Sequence, residues 1–193
     1  MRLKLPQGLI AAGAARAGRP GIFRVVMVYD DFVAGKRAMD TCHFLLQQLG
    51  GETKLNSSMW KFDVLRCAKL KQMAVADALE ADVIIVANGQ NSGLPPEVLD
   101  WLKRWTPVRR AGAAALVALV DYTGDDPREP ARAQAHLKQA ALAAGIEFLS
   151  QEIRASDIPE PILPNTLAHE KAGHLHEDIL RDRPAPDGWG LNE

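Results

Sequence analysis

Two adjacent acids, Asp30 and Asp31, follow an apolar run that ends at Tyr29. A pair of carboxylates at the end of a buried strand resembles a site for Mg²⁺ or Ca²⁺, because hard cations prefer oxygen ligands. Two carboxylates alone fall short of the roughly six oxygens that these ions take. We therefore expect no tightly bound cofactor and only weak Mg²⁺ binding at Asp30 and Asp31, whose main role would be to cap the following helix.

Further polar residues follow two later apolar runs, which end at Ala87 and Val120. If these runs are parallel strands of one sheet, their carboxyl ends meet at one edge, and a ligand would bind there. The candidate ligand-binding residues are Asp30, Asp31, Phe32, Asn88, Gly89, Gln90, Asn91, Asp121, Tyr122 and Thr123. Asp and Asn are also common turn and cap residues, so the alternative that this cluster is purely structural stays open.

Histidines and cysteines form two other groups of reactive side chains. On a helix, His169 and His176 would lie two turns apart, roughly 10 Å, which is too far for one zinc ion. No HExxH motif is present, so we expect these histidines and His174 to lie on a solvated helix face. Cys42 and Cys67 have neither metal-ligand nor CxxC spacing, and we expect two reduced thiols.

The elements that must position these residues alternate between β-type and helical patterns, which is typical of a parallel sheet built from βαβ units. The predicted strands are 23–29, 53–60, 83–87, 113–120 and 147–153. The first, third and fourth are apolar almost throughout, whereas the second and fifth contain polar residues that suit sheet edges. We therefore predict a three-layer, doubly wound α/β fold with a five-stranded parallel sheet in the flavodoxin-like order 2-1-3-4-5.

The segments between the strands show the 3.6-residue apolar period of helices that bury one stripe. Trp101 and Trp105 belong to the stripe of the third helix, and Gly145 ends the fourth. Trp60 and Phe62 stand two positions apart near the end of an edge strand, so they would share a face. A surface for a partner protein at these two aromatic residues is a further hypothesis.

The chain has 193 residues, of which 47% are apolar and 24% charged, as in one ordinary globular domain. We predict a disordered lead-in at 1–21, the domain at 22–182 with a fifth helix at 168–179, and a C-terminal tail at 183–193. The formal net charge of −1 provides no field to attract nucleic acid or anionic lipid. Without a membrane-length apolar run or a secretory signal, we expect a cytoplasmic protein with neither nucleic-acid nor membrane partners.

The order of these patterns resembles bacterial response-regulator receiver domains. The resemblance rests on a strand ending in two acids, Asp30-Asp31, a helix closing on Leu49-Gly50, a third strand at 81–86 and the approach to the fifth strand at 143–149. It covers about residues 23–153 as a pattern of elements with few identities. The resemblance therefore implies the receiver fold more strongly than any receiver function.

The groups that receivers use for phosphorylation are missing at the matching positions. The resemblance implies that Ala87, or Asn88 in a shifted register, stands where receivers have the aspartate that accepts the phosphoryl group. It likewise implies Val120 or Asp121 at the hydroxyl position and Gln151 in place of the lysine. Without the acceptor and the lysine, we expect no phosphoryl transfer.

Other ligands of this fold are not indicated either. Asp30 and Asp31 follow the first strand, where their charge would repel the phosphate of FMN. The step Gly35-Lys36-Arg37 lacks the P-loop spacing, and no GxGxxG motif is present. Flavin and dinucleotide cofactors are therefore not expected.

The leading hypothesis is a non-enzymatic, receiver-like signalling or protein-interaction module that is not phosphorylated and binds another protein or itself. The alternative is a nucleoside- or nucleotide-processing enzyme that uses Glu97, at the start of the third helix, and is loosely similar to nucleoside deoxyribosyltransferases. A third hypothesis is a small-ligand or metal sensor that uses Asp30, Asp31 and Asp121.

Overall fold

The computed structural model describes residues 22–49, 54–89, 93–109 and 114–154. The predicted lead-in at 1–21 lies outside these residues. So do the candidate site residues Gln90 and Asn91, the fifth helix, the three histidines and the C-terminal tail. The predicted end of the domain at residue 182 therefore stays a prediction.

Strands and helices alternate along the described chain. The elements are β1 (Ile22–Tyr29), α1 (Phe32–Leu49), β2 (Lys54–Lys61), a 3-10 helix (Phe62–Arg66), α2 (Ala68–Glu80), β3 (Val83–Ala87), α3 (Pro96–Trp105), β4 (Ala115–Asp121), α4 (Arg128–Ala144) and β5 (Glu147–Ile153). The five strands form one parallel sheet in the order β2-β1-β3-β4-β5. The predicted doubly wound, flavodoxin-like α/β fold is confirmed.

The burial of each strand follows from its place in the sheet. β3 and β4 are buried along their whole length, because they lie between other strands and under helices on both faces. β2 alternates between exposed and half-buried residues, and β5 is mostly half-buried. These two polar strands form the edges of the sheet, as their composition predicts.

Two apolar clusters fill the space on the two faces of the sheet. On one face, α1 packs its buried residues, such as Ala38 and Leu45, against alternate side chains of β1, β3 and β4. On the other face, α2, α3 and α4 cover the remaining apolar side chains. Trp101 and Trp105 are fully buried there, with ring centroids 5.6 Å apart, so their predicted core position is confirmed.

The helix ends are fixed by local chemistry. Gly145 follows α4 in the left-handed conformation, with φ at 63°, where an L side chain would be strained, and the predicted stop is confirmed. Arg109, in the turn after α3, donates hydrogen bonds to the carbonyl oxygens of Ala78 and Ala81 at the end of α2. Among the described helices, none is long and apolar enough to cross a membrane.

β2 ends at Lys61, one residue after its predicted end, but the backbone beyond it does not stay extended as the shared face of Trp60 and Phe62 requires. Phe62 does not continue the strand but begins the 3-10 helix, where its side chain is buried in the core. Trp60 is half-buried, and its indole N–H donates to Asp77 Oδ2 at 3.0 Å. The hypothesis of an aromatic partner surface at Trp60 and Phe62 is therefore wrong, because the turn after β2 directs Phe62 inward.

Candidate functional site

The carboxyl ends of the strands bring the predicted site residues to one edge of the sheet. Tyr29, Ala87, Leu119 and Gln151 are level with one another across β1, β3, β4 and β5. Beyond this row lies a group of residues that we call the strand-end cluster. It consists of Arg37 from α1 and of residues at the strand ends: Asp30, Asp31, Asn88, Gly89, Asp121 and Thr123. The predicted convergence at this edge therefore exists.

A partly buried ion pair lies at the centre of the strand-end cluster. The guanidinium of Arg37 reaches over the end of the sheet, with Nη1 2.5 Å from Asp121 Oδ2 and Nη2 2.8 Å from the carbonyl oxygen of Asn88. Only 7% of the Asp121 side chain is exposed. Arg37 thus neutralises the one carboxylate that β4 contributes and joins α1 to the ends of β3 and β4.

Asp121 also organises the residues around it. Its Oδ1 accepts hydrogen bonds from the backbone N–H and the hydroxyl of Thr123, at 2.9 and 2.5 Å, and its own N–H donates to Asn88 Oδ1 at 3.0 Å. Burial alone would raise the pKa of the Asp121 carboxyl, but the bonds from Thr123 and Arg37 outweigh it and hold the pKa below its ordinary value. The carboxylate is therefore ionised and fully engaged within the protein.

The acid pair after β1 is bound to backbone amides. Asp31 Oδ1 accepts from the N–H of Ala34 at 2.8 Å, in the first turn of α1, which is the predicted capping contact. Asp30 Oδ2 accepts from the N–H of Gly89 at 3.2 Å. A Cβ on Gly89 would lie 2.6 Å from Asp31 Oδ2 and 2.8 Å from Asp30 Oδ2. The absence of a side chain at residue 89 therefore lets both carboxylates approach the end of β3.

Two of the predicted ligand-binding residues point away from the cluster. Phe32 is 83% exposed at the first position of α1. The hydroxyl of Tyr122 donates to Gln134 Oε1 at 2.8 Å, and Gln134 Nε2 donates to Ser150 Oγ at 2.8 Å. Tyr122 therefore joins β4 to α4 and β5.

The acids do not assemble into a metal-binding group with a third ligand. In the part of the chain that the structure describes, no three His, Cys, Asp or Glu side chains are placed to hold one metal ion. Asp121, the third acid of the sensor hypothesis, is paired with Arg37 instead. Weak cation binding by Asp30 and Asp31 alone stays a prediction.

Glu97, the acid of the enzyme hypothesis, is also engaged. Its carboxylate lies at the start of α3, with 11% of the side chain exposed, and Oε1 accepts from Arg66 Nε at 2.8 Å. Burial tends to raise the pKa of Glu97, but the hydrogen bonds from Arg66 and from its own backbone N–H leave the pKa below its ordinary value. Glu97 is therefore an ionised carboxylate that already has a cationic partner.

Arg37 is the member of the strand-end cluster that the sequence did not lead us to include among the candidate site residues. A signal for it exists in the sequence: on a helical projection, Arg37 stands at the margin of the buried stripe that contains Ala34, Ala38 and Thr41. An arginine at such a margin extends its stem along the apolar surface and places its charged head at the end of the sheet. The identity of its partner, 84 positions later, requires the strand order.

The chain matches no protein-family model and no curated protein sequence. Two solved flavodoxins resemble it. One is from Streptococcus pneumonia TIGR4, with 15% identity and a TM-score of 0.43, over 71% of this chain and 89% of that chain. The other is a short-chain flavodoxin associated with a PDU bacterial microcompartment, with 17% identity and a TM-score of 0.45, over 70% of this chain and 88% of that chain. The fold assignment stands on the strand order and pairing alone.

Proposed function

We propose that this chain is a non-enzymatic interaction module that binds another protein or itself and does not undergo phosphorylation. The observation that carries the proposal is the ion pair between Arg37 and the buried carboxylate of Asp121. In a doubly wound fold, a ligand binds where the carboxyl ends of the strands meet. Here the guanidinium of Arg37 lies at this position, and the carboxylates of Asp30 and Asp31 accept hydrogen bonds from backbone amides of the same chain.

The row at the strand ends supports the absence of phosphoryl chemistry. Ala87, Leu119 and Gln151 stand level on neighbouring strands, and none of the three side chains is a carboxylate nucleophile or a cation. Phosphoryl transfer to a carboxylate needs both a positioned nucleophile and positive charge for the transferring group. The one cation in the strand-end cluster, Arg37, is already neutralised by Asp121.

The start of α1 supports the absence of a bound phosphate. Backbone N–H groups at a helix start normally attract anions. In this chain, Asp31 accepts from Ala34 N and Asp30 accepts from Gly89 N. A phosphate would have to displace these carboxylates and withstand their charge, so FMN and nucleotide phosphates are poor ligands for this edge.

The enzyme alternative has one observation in its favour. Glu97 is ionised and sits at the start of α3, which is the charge state that a carboxylate nucleophile requires. Its Oε1 is bonded to Arg66, which would lower its nucleophilicity by holding the charge. We therefore rank the enzyme below the interaction module, and the sensor hypothesis below both, since Asp121 is paired with Arg37.

A turnover assay tests the proposal against the enzyme. The protein is incubated with a panel of nucleosides and nucleotides, and released base is followed by chromatography. We expect no release above that of a protein-free blank. Release that is abolished by Glu97→Gln, but kept by the matched variant Glu129→Gln at the first turn of α4, would overturn the interaction module.

A further inference from the structure

The solvent side of α1 begins with two exposed apolar residues. Phe32 and Val33 are adjacent at the first two positions of the helix, and 60% of Val33 is exposed beside the still more exposed Phe32. Solvent-exposed apolar side chains that lie next to each other often mark a binding surface. We call Phe32 and Val33 the α1 patch.

Opposite charges flank the α1 patch along the helix. Asp31 precedes it, and Lys36 follows one turn after Phe32; both are exposed. Residues four apart lie on the same side of a helix, so Lys36 is next to the patch on the far side from Asp31. Along the helix axis, the surface therefore runs acid, apolar pair, base.

Such a surface is complementary to itself. A two-fold axis through the apolar pair would bring Phe32 and Val33 of two copies together and place each Lys36 opposite the other copy's Asp31. We propose that the α1 patch is the contact surface between two copies of this chain. This inference rests on the proposed function, because it names the partner of an interaction module.

Two other exposed apolar residues lack this complementarity. Leu142, on α4, is 70% exposed and has Lys138 one turn before it. Val108 is 62% exposed and stands next to Arg109. Neither position has an acid on one side and a base on the other along one helix, so a two-fold axis there would not pair opposite charges. These positions therefore serve as controls of matched exposure and polarity.

The size of the α1 patch predicts a weak association. Its two side chains offer on the order of 250 Å² of apolar surface in each copy, against about 800 Å² for each partner in a stable complex. We therefore expect a weak association with rapid exchange between monomer and dimer. A chain with a net charge of −1 imposes little long-range repulsion between copies.

Sedimentation equilibrium across a concentration series tests the proposal. For the natural sequence, the average mass should rise from that of the monomer toward that of the dimer. Phe32→Glu should weaken the association about tenfold or more, whereas Leu142→Glu and Val108→Glu should leave it within about twofold. An average mass that stays that of the monomer at all concentrations would overturn the proposal. So would an association that Phe32→Glu leaves unchanged.

A charge exchange tests the orientation of the two copies. Lys36→Asp and Asp31→Lys should each prevent self-association, because like charges then face each other. Asp31→Lys also loses the cap on Ala34 N, so circular dichroism must first show that this variant has the helical content of the natural chain. An equimolar mixture of the two variants should associate, since each new pair joins an Asp to a Lys. A mixture that stays monomeric, while the natural chain associates, would rule out the two-fold arrangement.

The two proposals fail in different ways. A protein that releases no base and stays monomeric would refute the α1 contact and leave the interaction module, with a different partner, in place. Base release that depends on Glu97 would refute the interaction module whatever the mass of the protein in solution.

Discussion

Arg37 and Asp121 are 84 positions apart in the chain and form an ion pair. The Asp121 side chain in this pair is 93% buried. The pair joins the first helix to the end of the fourth strand. Breaking a buried pair leaves one charge without its partner in a poorly solvated place, and this is more costly than the loss of an exposed pair. The strand-end cluster is therefore a structural element of the fold as well as the candidate site.

Arg37→Met should lower the free energy of unfolding by about 3 kcal/mol, because Asp121 then stays buried without a cation. Urea unfolding at pH 7, followed by circular dichroism, measures this. Lys36→Met is the matched control: Lys36 is exposed, and its loss should change stability by less than about 0.5 kcal/mol. Equal effects at the two positions would mean that the ion pair contributes nothing.

The contribution of Asp121 should depend on pH. Its pKa is below the ordinary value in the folded protein, so its stabilisation is present above the unfolded-state pKa of about 3.9 and is lost as the pH falls through the folded-state pKa. The difference in unfolding free energy between the natural chain and Asp121→Asn should therefore be largest near neutral pH and shrink below about pH 4.

Asp63→Asn is the control for this titration. The pKa of Asp63 is also lowered, by its hydrogen bond and attraction to Lys61, but this pair is exposed to solvent, which screens it. Its replacement should have little effect at any pH. A difference in unfolding free energy between the natural chain and Asp121→Asn that stays constant from pH 7 to pH 3 would contradict the assigned role of the buried carboxylate.

Gly89→Ala should destabilise the protein by about 1–3 kcal/mol, because the new methyl group would meet two carboxylate oxygens that hydrogen bonds hold in place. Thermal and urea unfolding measure the change. Gly93→Ala creates a contact of the same length, 2.6 Å, with Glu129 Oε2. Glu129 is partly exposed and can move, so this control should cost less than about 0.5 kcal/mol.

Magnesium should bind weakly to the acid pair. During a titration with MgCl₂, the amide resonances of residues 29–36 and 87–89 should shift without saturating below about 1 mM, because two carboxylates provide too few fixed oxygen ligands. Arg37→Met should strengthen the response, since it leaves the Asp121 carboxylate without its cation. Saturation at sub-millimolar Mg²⁺ in the natural chain would instead indicate a cation site.

Acetyl phosphate should not modify the protein. After incubation with acetyl phosphate and Mg²⁺, the intact mass should show no added phosphoryl group, because no carboxylate stands in the row of Ala87, Leu119 and Gln151. A stable gain of one phosphoryl group that Asp31→Asn removes would show that the acceptor is Asp31. Asp63→Asn controls for nonspecific phosphorylation of exposed acids.

Strand composition was sufficient to predict the fold. β3 and β5 have the predicted bounds, 83–87 and 147–153, because apolar runs and polar edge patterns are local properties. β4 ends one residue later than predicted, at Asp121, because backbone pairing with Ile153 continues past the last apolar side chain. The end of β2 was predicted to within one residue, but the inward turn of Phe62 was not, since alternation along β2 carries no signal for the conformation that follows it.

The convergence of the site residues at one edge of the sheet was predictable from the sequence, but the pairing of their charges was not. Strand order alone brings Asp30, Asn88 and Asp121 to one edge, and the strand order follows from composition. Which cation neutralises which acid depends on the reach of a long side chain from a helix above the sheet. Arg37 and Lys36 are neighbours in sequence, yet only the first points toward the sheet.

The position of β1 in the sheet has a consequence for synthesis on the ribosome. β1 is made first, but its two neighbours, β2 and β3, end at Lys61 and Ala87. The buried side chains of β1 therefore have only α1 for cover until β2 follows, and they lack β3 until about 60 further residues have left the exit tunnel, which takes several seconds at ordinary elongation rates. Parallel pairing between distant segments is slow to form, and α1 covers only the face of β1 that carries Val25 and Met27, so the face with Val26 and Val28 is covered only by later elements.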